Sequence, residues 1–330
     1  MTDVPVLELR DLRTYYRVNR KGSWSKQDLK AVDGVSFAIP TGTTLGLVGE
    51  SGCGKSTLSK TVLGIERPTG GEIRINGKTV FGGTSRVLHF DRKVLQAVFQ
   101  DPYSSLDPRF SVHEIVAEPM RINRCYNPAK VARLLQAVGI SELSSQRKPG
   151  AFSGGQRQRI AIARALALDP DIVVLDEAVS ALDVSIQAQI LNLLKKLQSD
   201  LGLAYLFISH DLSVVRHISD QVAVMYLGRI VEIGPRDAVF DRPAHPYTRA
   251  LLSAAPVPDP FRRANRQRII LTGDIPNPMN PPSGCVFRTR CPVARRECAD
   301  TRPELTTVPA TLGAAPCIRA HACACLYADR

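Results

Sequence analysis

The chain has 330 residues and a mass of 36.1 kDa, enough for one large α/β domain and a smaller appendage. With 44% hydrophobic and 22% charged residues it is not a disordered chain; no run approaches the roughly 18 apolar residues of a spanning helix, and MTDVPVLELRDL lacks the basic-then-apolar order of a signal peptide. A net charge of +12 suits an anionic partner such as a nucleotide, a nucleic acid or lipid headgroups.

Two short β-like runs, VLELRDL (6–12) and GVSFAI (34–39), flank a basic stretch with Arg17, Arg20, Lys21, Lys26 and Lys30, read as a solvated hairpin. TLGLVGESGCGKSTLSKTVLG reads as strand, Gly-rich turn and helix, and GEIRING (71–77) as a further strand. From about Val112 to Gly150 the periodicity is helical, most clearly in PAKVARLLQAVGI. DIVVLDE (171–177) has the pattern of a buried strand and SIQAQILNLLKKLQSDLG that of a long amphipathic helix. LAYLFISHD is another apolar strand, and the Leu-Gly pair in QVAVMYLGRIVEIG signals a hairpin turn. Apolar strands alternating with helices predict a parallel sheet covered on both faces. Fourteen of the 23 prolines fall in the last 96 residues, and little periodicity survives beyond Ala255. A boundary is therefore expected at about 235–255, followed by a loop-rich module that needs a staple other than a core.

The segment GESGCGKS, Gly49 to Ser56, matches G-x-x-x-x-G-K-[ST] between an apolar strand and a helix, the context the pattern requires. Its glycines let backbone N–H groups close around a phosphate, and the helix start adds a positive dipole. Lys55 is expected to reach the β- and γ-phosphates, and Ser56 to place its hydroxyl on Mg²⁺. In IVVLDE, Asp176 would hold Mg²⁺ through water and Glu177 would polarise the attacking water as general base. A second small-hydroxyl and glycine pair opens a basic helix at FSGGQRQR, Phe152 to Arg159, which has the makings of a second anion grip.

Five elements in this order resemble the ATP-binding-cassette (ABC) ATPases: GESGCGKST, Gln100 of AVFQDPYSSLDPR, FSGGQ, IVVLDEAVSALD and His210 of FISHD. The resemblance spans residues 6 to about 240 and implies a P-loop NTPase (RecA-like) α/β fold with antiparallel β and α-helical subdomains, the latter at about 100–165. It implies an ATP site of Tyr16, stacked on adenine, with Gly49, Glu50, Ser51, Gly52, Cys53, Gly54, Lys55, Ser56 and Thr57. Tyr15, next to Tyr16, is the alternative stacking residue. Mg²⁺ would sit among Ser56, Gln100 and Asp176, with Glu177, His210 and Gln100 as the catalytic set. In this family two cassettes meet head to tail, so Ser153, Gly154, Gly155 and Gln156 would grip the partner's ATP, with Asp183 at the seam. Ala178 stands where proline is usual after the acidic pair, and Ala151 where an acidic residue is common; neither removes a ligand.

The segments PAHPYTRALLSAAPVPDP, GDIPNPMNPPSGCVFRTRCPVARRECADTRPEL and HACACL resemble the C-terminal extension of oligopeptide and dipeptide permease ATPases. Most similar is the second of that importer's two paired ATPase subunits. The domains expected are therefore 1–240, the nucleotide-binding domain, and 241–330, the permease-type extension. The implied partners are a second ATPase subunit, two transmembrane subunits and an extracytoplasmic binding protein, at the cytoplasmic side of the inner membrane. Nickel, glutathione or an oligosaccharide is the alternative cargo to peptides. A soluble cassette acting on DNA or the ribosome normally has two cassettes or a long coiled coil, so no nucleic-acid partner is expected.

Six of the eight cysteines lie after residue 284. Cys285, Cys291, Cys298 and Cys325 could hold zinc or a [4Fe–4S] cluster. Structural zinc usually shows tighter Cys pairs, and the resemblance favours the cluster; zinc and free thiols remain the alternatives. Cys317 or Cys323 could replace Cys325.

Overall fold

A four-stranded antiparallel sheet, a parallel core sheet and a helical layer account for most of the chain, and the computed structural model describes residues 4–19, 26–82, 91–101, 105–254, 269–308 and 320–328. In chain order the elements are β1 (Leu7–Asn19), β2 (Lys26–Ile39), β3 (Thr44–Val48), α1 (Lys55–Val62), β4 (Gly70–Ile75), β5 (Lys78–Phe81) and β6 (Leu95–Val98). The helical layer is α2 (Val112–Ile122), α3 (Pro128–Ala137), α4 (Glu142–Ser145) and α5 (Gly154–Ala165). Then come β7 (Ile172–Asp176), α6 (Val184–Leu201), β8 (Ala204–Ile208), α7 (Leu212–Ile218), β9 (Gln221–Tyr226), β10 (Arg229–Pro235), α8 (Arg236–Asp241) and α9 (Pro246–Ala254). The tail adds α10 (Glu297–Asp300), β11 (Thr306–Thr307) and β12 (Ala322–Cys323).

The antiparallel sheet has the order β2-β1-β4-β5, and the core sheet β11-β12-β10-β9-β3-β8-β7-β6. Strands β6, β7, β8, β3 and β9 run parallel. Both faces of this sheet are covered, as the unbroken apolar runs require. Val173, Leu175, Tyr205 and Phe207 join the core under the helical layer, while Ile172, Val174, Leu206 and Ile208 join the core under the antiparallel sheet.

Local signals explain the helix ends. Ser111 caps α2 in a reciprocal box with Glu114, Asn127 caps α3 with Pro128 in its first turn, and Gly202 ends α6 at φ 68°. Leu227 and Gly228, both at positive φ, make the expected hairpin between β9 and β10. The two short N-terminal runs differ from expectation: each is half of a long strand, paired to the other from Leu7–Ile39 out to Asn19–Lys26. Register shifts between Leu9 and Leu12, and between Thr14 and Tyr15, break the alternation that would have revealed it. In the basic stretch, Arg17, Lys26 and Lys30 lie on these strands, while Arg20 and Lys21 fall outside the described residues.

The extension is sewn to the core. Strand β12 pairs with β10 through Glu232–Cys323 and Ile233–Ala322. Glu232 is fully buried and its carboxylate accepts from the backbone N–H of Ala244 (2.8 Å) and His245 (2.9 Å) and meets His321 Nε2 at 2.7 Å. Burial alone would raise the pKa of Glu232, but these donors outweigh it and hold the group below the ordinary glutamate value. A carboxyl with a depressed folded-state pKa stabilises above its unfolded value and loses that contribution as pH falls through the folded one. Glu232→Gln should therefore lower stability at pH 7 by at least about 2 kcal/mol in urea unfolding. The gap to wild type should narrow as the pH is taken below 4.5, glutamate's ordinary value.

Candidate functional site

The carboxyl ends of the parallel strands converge on one cavity of about 530 Å³, sized for a nucleotide. Strand β3 delivers the Gly-rich turn, β7 delivers Glu177 and β8 delivers His210, while Asp176 and Ser209, one residue earlier in each case, lie outside the cavity lining. Ser51 through Thr57 line the cavity, together with Tyr16, Glu177, His210 and Gly228.

The turn is possible only with glycine. Gly54, at φ +112°, passes so close to β2 that an added Cβ would sit 2.1 Å from the Ala31 carbonyl. Gly49, at φ +155°, leaves only 2.2 Å to the Met225 carbonyl. Lys55 is 6% exposed and its Nζ donates to the carbonyls of Gly49 (2.7 Å) and Glu50 (3.0 Å), which stretches the side chain back across the loop. The loop's far side is also tied: Glu50 N–H donates to Tyr247 Oη at 2.9 Å, and the Arg290 guanidinium grips the Glu50 carboxylate at 2.7 and 3.2 Å.

Asp176 is partly buried at the end of β7; burial, then the adjacent Glu177 charge, push its pKa above the usual carboxylate range. A hard divalent cation would relieve that penalty, and the oxygen donors Ser56 and Asp176 fit Mg²⁺. Glu177 adopts φ 51°, a left-handed backbone that a non-glycine residue enters at a cost of about 1–3 kcal/mol. Its N–H donates to the Ile208 carbonyl at 2.9 Å, and its Oε1 lies 3.3 Å from His210 Nδ1. A carboxylate and an imidazole thus face the phosphate loop across the cavity.

Tyr16 and Tyr15 are separated by the strand's alternation. Tyr16 lines the cavity, whereas Tyr15 turns away and donates its hydroxyl to Asp33, which also pairs with Arg229. Burial, then that contact, pushes Tyr15 up to about 12. Gln100 is exposed beyond the end of β6 and lies outside the cavity lining.

Ser153, Gly154, Gly155 and Gln156 lie outside the cavity too. Ser153 caps α5: its hydroxyl accepts from Gln156 N–H (3.3 Å) while Ser153 N–H donates to Gln156 Oε1 (3.0 Å). Because the reciprocal partner is Gln rather than Glu, the first turn carries no acidic residue and the positive helix end is left uncompensated. The cap of α2, by contrast, closes on a glutamate. Gly155 packs beside Ile186, which brings the start of α6, with the exposed Asp183 just before it, next to the start of α5.

Cys285, Cys291, Cys298 and Cys325 line one small cavity with His245 and Phe287. Cys323 sits on β12, fully buried, and Cys317 lies outside the described residues. Burial raises the pKa of Cys285 and Cys325, and takes Cys291 to about 11, so without a cation these thiols hold their protons. Among the described residues, no group of three or more His, Cys, Asp or Glu side chains is arranged to hold a metal ion.

Sequence reasoning missed two features. Pro278, Tyr247 and Arg290 of the tail border the phosphate loop, and the only signal for them was the anomaly of a carboxylate, Glu50, inside an anion-binding turn. The second is a groove of about 400 Å³ between core and helical layer, lined by Ile65, Phe99 and Ile122, which are 58%, 41% and 72% exposed. Arg164 fixes one wall, donating to the Ser105 carbonyl (2.8 Å) and to Glu118 (2.7 Å).

The family model described as ABC transporter matches residues 32–180, and that described as oligopeptide/dipeptide transporter, C-terminal region, matches residues 231–298. The chain is 49% identical over 311 residues to the oligopeptide transport ATP-binding protein OppF of Salmonella typhimurium, covering 91% of this chain and 92% of that one. It is 51% identical over 308 residues to the dipeptide transport ATP-binding protein DppF of Haemophilus influenzae, covering 92% and 93%. Among solved structures, the dimeric post-hydrolysis state of the ATP-binding cassette MJ0796 bound to ADP and Pi matches with a TM-score of 0.58 at 25% identity, over 70% of this chain and 98% of that one.

If the cavity is the nucleotide site, Lys55→Ala should abolish ATP binding, measured by equilibrium dialysis, while the far-UV circular dichroism spectrum stays that of wild type.

Proposed function

Because the chain belongs to the ATP-binding subunits of ABC transporters of the oligopeptide and dipeptide type, and is an ATPase of that class, we propose that it powers the import of peptides as one of two paired ATPases. The observation that carries this reading is the convergence of Lys55, Glu177, His210 and Tyr16 on one nucleotide-sized cavity, while the positive end of α5, capped by neutral side chains alone, lies outside it. Tyr16 stacks on the adenine, the loop from Gly49 to Thr57 cradles the phosphates, and Lys55 swings from its carbonyls to the β- and γ-phosphates. Ser56 of the cavity lining, joined by Asp176 and Gln100 from outside it, would hold Mg²⁺, which would supply positive charge to the phosphates. Glu177 takes a proton from the attacking water; His210, beside it, contacts the γ-phosphate.

The start of α5 has no acidic residue in its first turn to compensate it. In the closed pair, Ser153, Gly154, Gly155 and Gln156 meet the γ-phosphate of the ATP in the other subunit, with Asp183 at the seam. Two ATP molecules then hold the pair shut, and hydrolysis releases it. The groove takes a helix from a membrane-spanning subunit: its exposed Phe99 is the immediate neighbour of Gln100, so docking and the catalytic centre share one short segment. Among the described residues no helix is long and apolar enough to cross a membrane. The likeness to peptide-transport ATP-binding proteins is what supports a peripheral subunit at the cytoplasmic face, fed by an extracytoplasmic binding protein. We place the nucleotide-binding domain at 1–240 and the extension at 241–330.

For the tail we propose a [4Fe–4S] cluster held by Cys285, Cys291, Cys298 and Cys325, as a structural staple. The four thiols line one cavity, which is the donor set such a group would deprotonate and tighten. Cys285→Ser should remove iron from protein purified without oxygen and lower its melting temperature; full iron content would end this assignment.

The test of function is uptake of labelled di- and oligopeptides by cells lacking the chain, rescued with wild type or Glu177→Gln. Wild type should restore uptake and the variant should not. In the assembled pair, Glu177→Gln at this site should bind ATP normally while its turnover falls at least about 10²-fold. Uptake unaffected by deletion, with no redundant permease, would redirect the assignment to nickel, glutathione or sugar.

A further inference from the structure

The phosphate loop carries a carboxylate where the ligand is a polyanion. Glu50 follows the first glycine of the turn, its side chain is 25% exposed, and no residue within the loop compensates it: the amino group of Lys55 is turned to backbone carbonyls. The compensating charge comes from 240 residues further along. Arg290, only 9% exposed, lays its guanidinium on Glu50 with both terminal nitrogens, Nη1 to Oε2 at 2.7 Å and Nη2 to Oε1 at 3.2 Å. Its pKa is raised, chiefly by the hydrogen bond to Glu50. The fork–fork geometry fixes direction as well as charge.

Arg290 is itself held rigidly. Its N–H donates to the carbonyl of Phe287 (3.0 Å), and the Phe287 ring is fully buried against Tyr226 and Tyr247 at centroid distances of 5.2 and 5.4 Å. Tyr247 in turn accepts from the Glu50 N–H. The same tail reaches the cavity itself through Pro278, on a segment anchored where Gln27 Nε2 donates to the Met279 carbonyl at 2.8 Å.

We propose that Arg290 is a positioning residue of the nucleotide site, neutralising Glu50 so that the loop can accept the ATP phosphates; this rests on the nucleotide-binding reading above. Without it an uncompensated carboxylate stands behind the phosphate loop, one residue from Ser51 of the cavity lining, and its charge opposes the incoming phosphates; the damage falls on ATP affinity rather than on the chemical step, which uses other groups.

The test measures ATP affinity by equilibrium dialysis of the full-length chain, with turnover in the assembled pair. Arg290→Ala should raise the Kd for ATP at least about tenfold while kcat at saturating ATP stays within about threefold of wild type. Arg290→Lys, which keeps the charge and loses the fork, should fall between. The deciding variant is Arg290→Ala with Glu50→Gln: removing the uncompensated charge should bring the affinity back to within about threefold of wild type. A structural prop alone would not be rescued this way. Wild-type affinity in Arg290→Ala, or a double variant no better than the single one, overturns the proposal. If Arg290→Ala fails to fold, Arg290→Lys with and without Glu50→Gln decides it by the same comparison. A wild-type chain that binds no ATP would instead refute the nucleotide reading itself.

Discussion

The turn from β3 into α1 must hold backbone N–H groups open to an anion while two other elements press on it from behind. Gly54 touches the backbone of β2 and Gly49 the backbone at the end of β9, so the loop is wedged between the antiparallel sheet and the core sheet. Its shape is thus a property of how those two sheets meet. That is why the long β1–β2 pair matters: it supplies Tyr16 on one side of the cavity and Ala31 against the loop on the other. The core strands then need only end at the same level for Glu177 and His210 to arrive opposite Lys55.

The sequence was most informative where the chemistry is local. Gly-rich turn, buried β7, α6 with its Gly202 stop and the β9–β10 hairpin all follow from short-range rules and all occur. It was least informative where long-range register decides. The bulges in β1 hid most of its length, and strand alternation, legible only once that length is known, is what separates Tyr16 from Tyr15. Nothing near Arg290 in the chain hints at a partner at Glu50, since an arginine between cysteines has many ordinary explanations. The two-residue pairing of β12 with β10 is likewise too short to leave a pattern. For the cysteines, spacing left the fourth position open; Cys325 lines the shared cavity, Cys323 lies on β12, and Cys317 is outside the described residues.

Two reciprocal caps in one chain show how a single functional group separates structure from function. Glu114 and Gln156 do the same work for helix geometry, each returning to the N–H of its capping serine. Only the glutamine leaves the helix end electropositive. A stability argument cannot tell the two apart, because a carboxylate at that position would serve the isolated helix at least as well. The neutral choice makes sense for a surface meant to receive negative charge from outside.

The pairing of β12 with β10 also bears on what the cassette would become without its tail. Strand β10 has buried Ile230 and Val231, and the hydrogen bond from Ala324 N–H to the Val231 carbonyl (2.8 Å) continues the cover along it. Strip the tail away and the core sheet ends in a bare, largely apolar rim whose N–H and C=O groups invite any other strand. The extension is in that sense a selvage, a finished border that keeps the sheet from being stitched to a neighbour. Proteolysis or misfolding that frees residues 320–324 would then not yield a smaller working ATPase but a self-adhesive one.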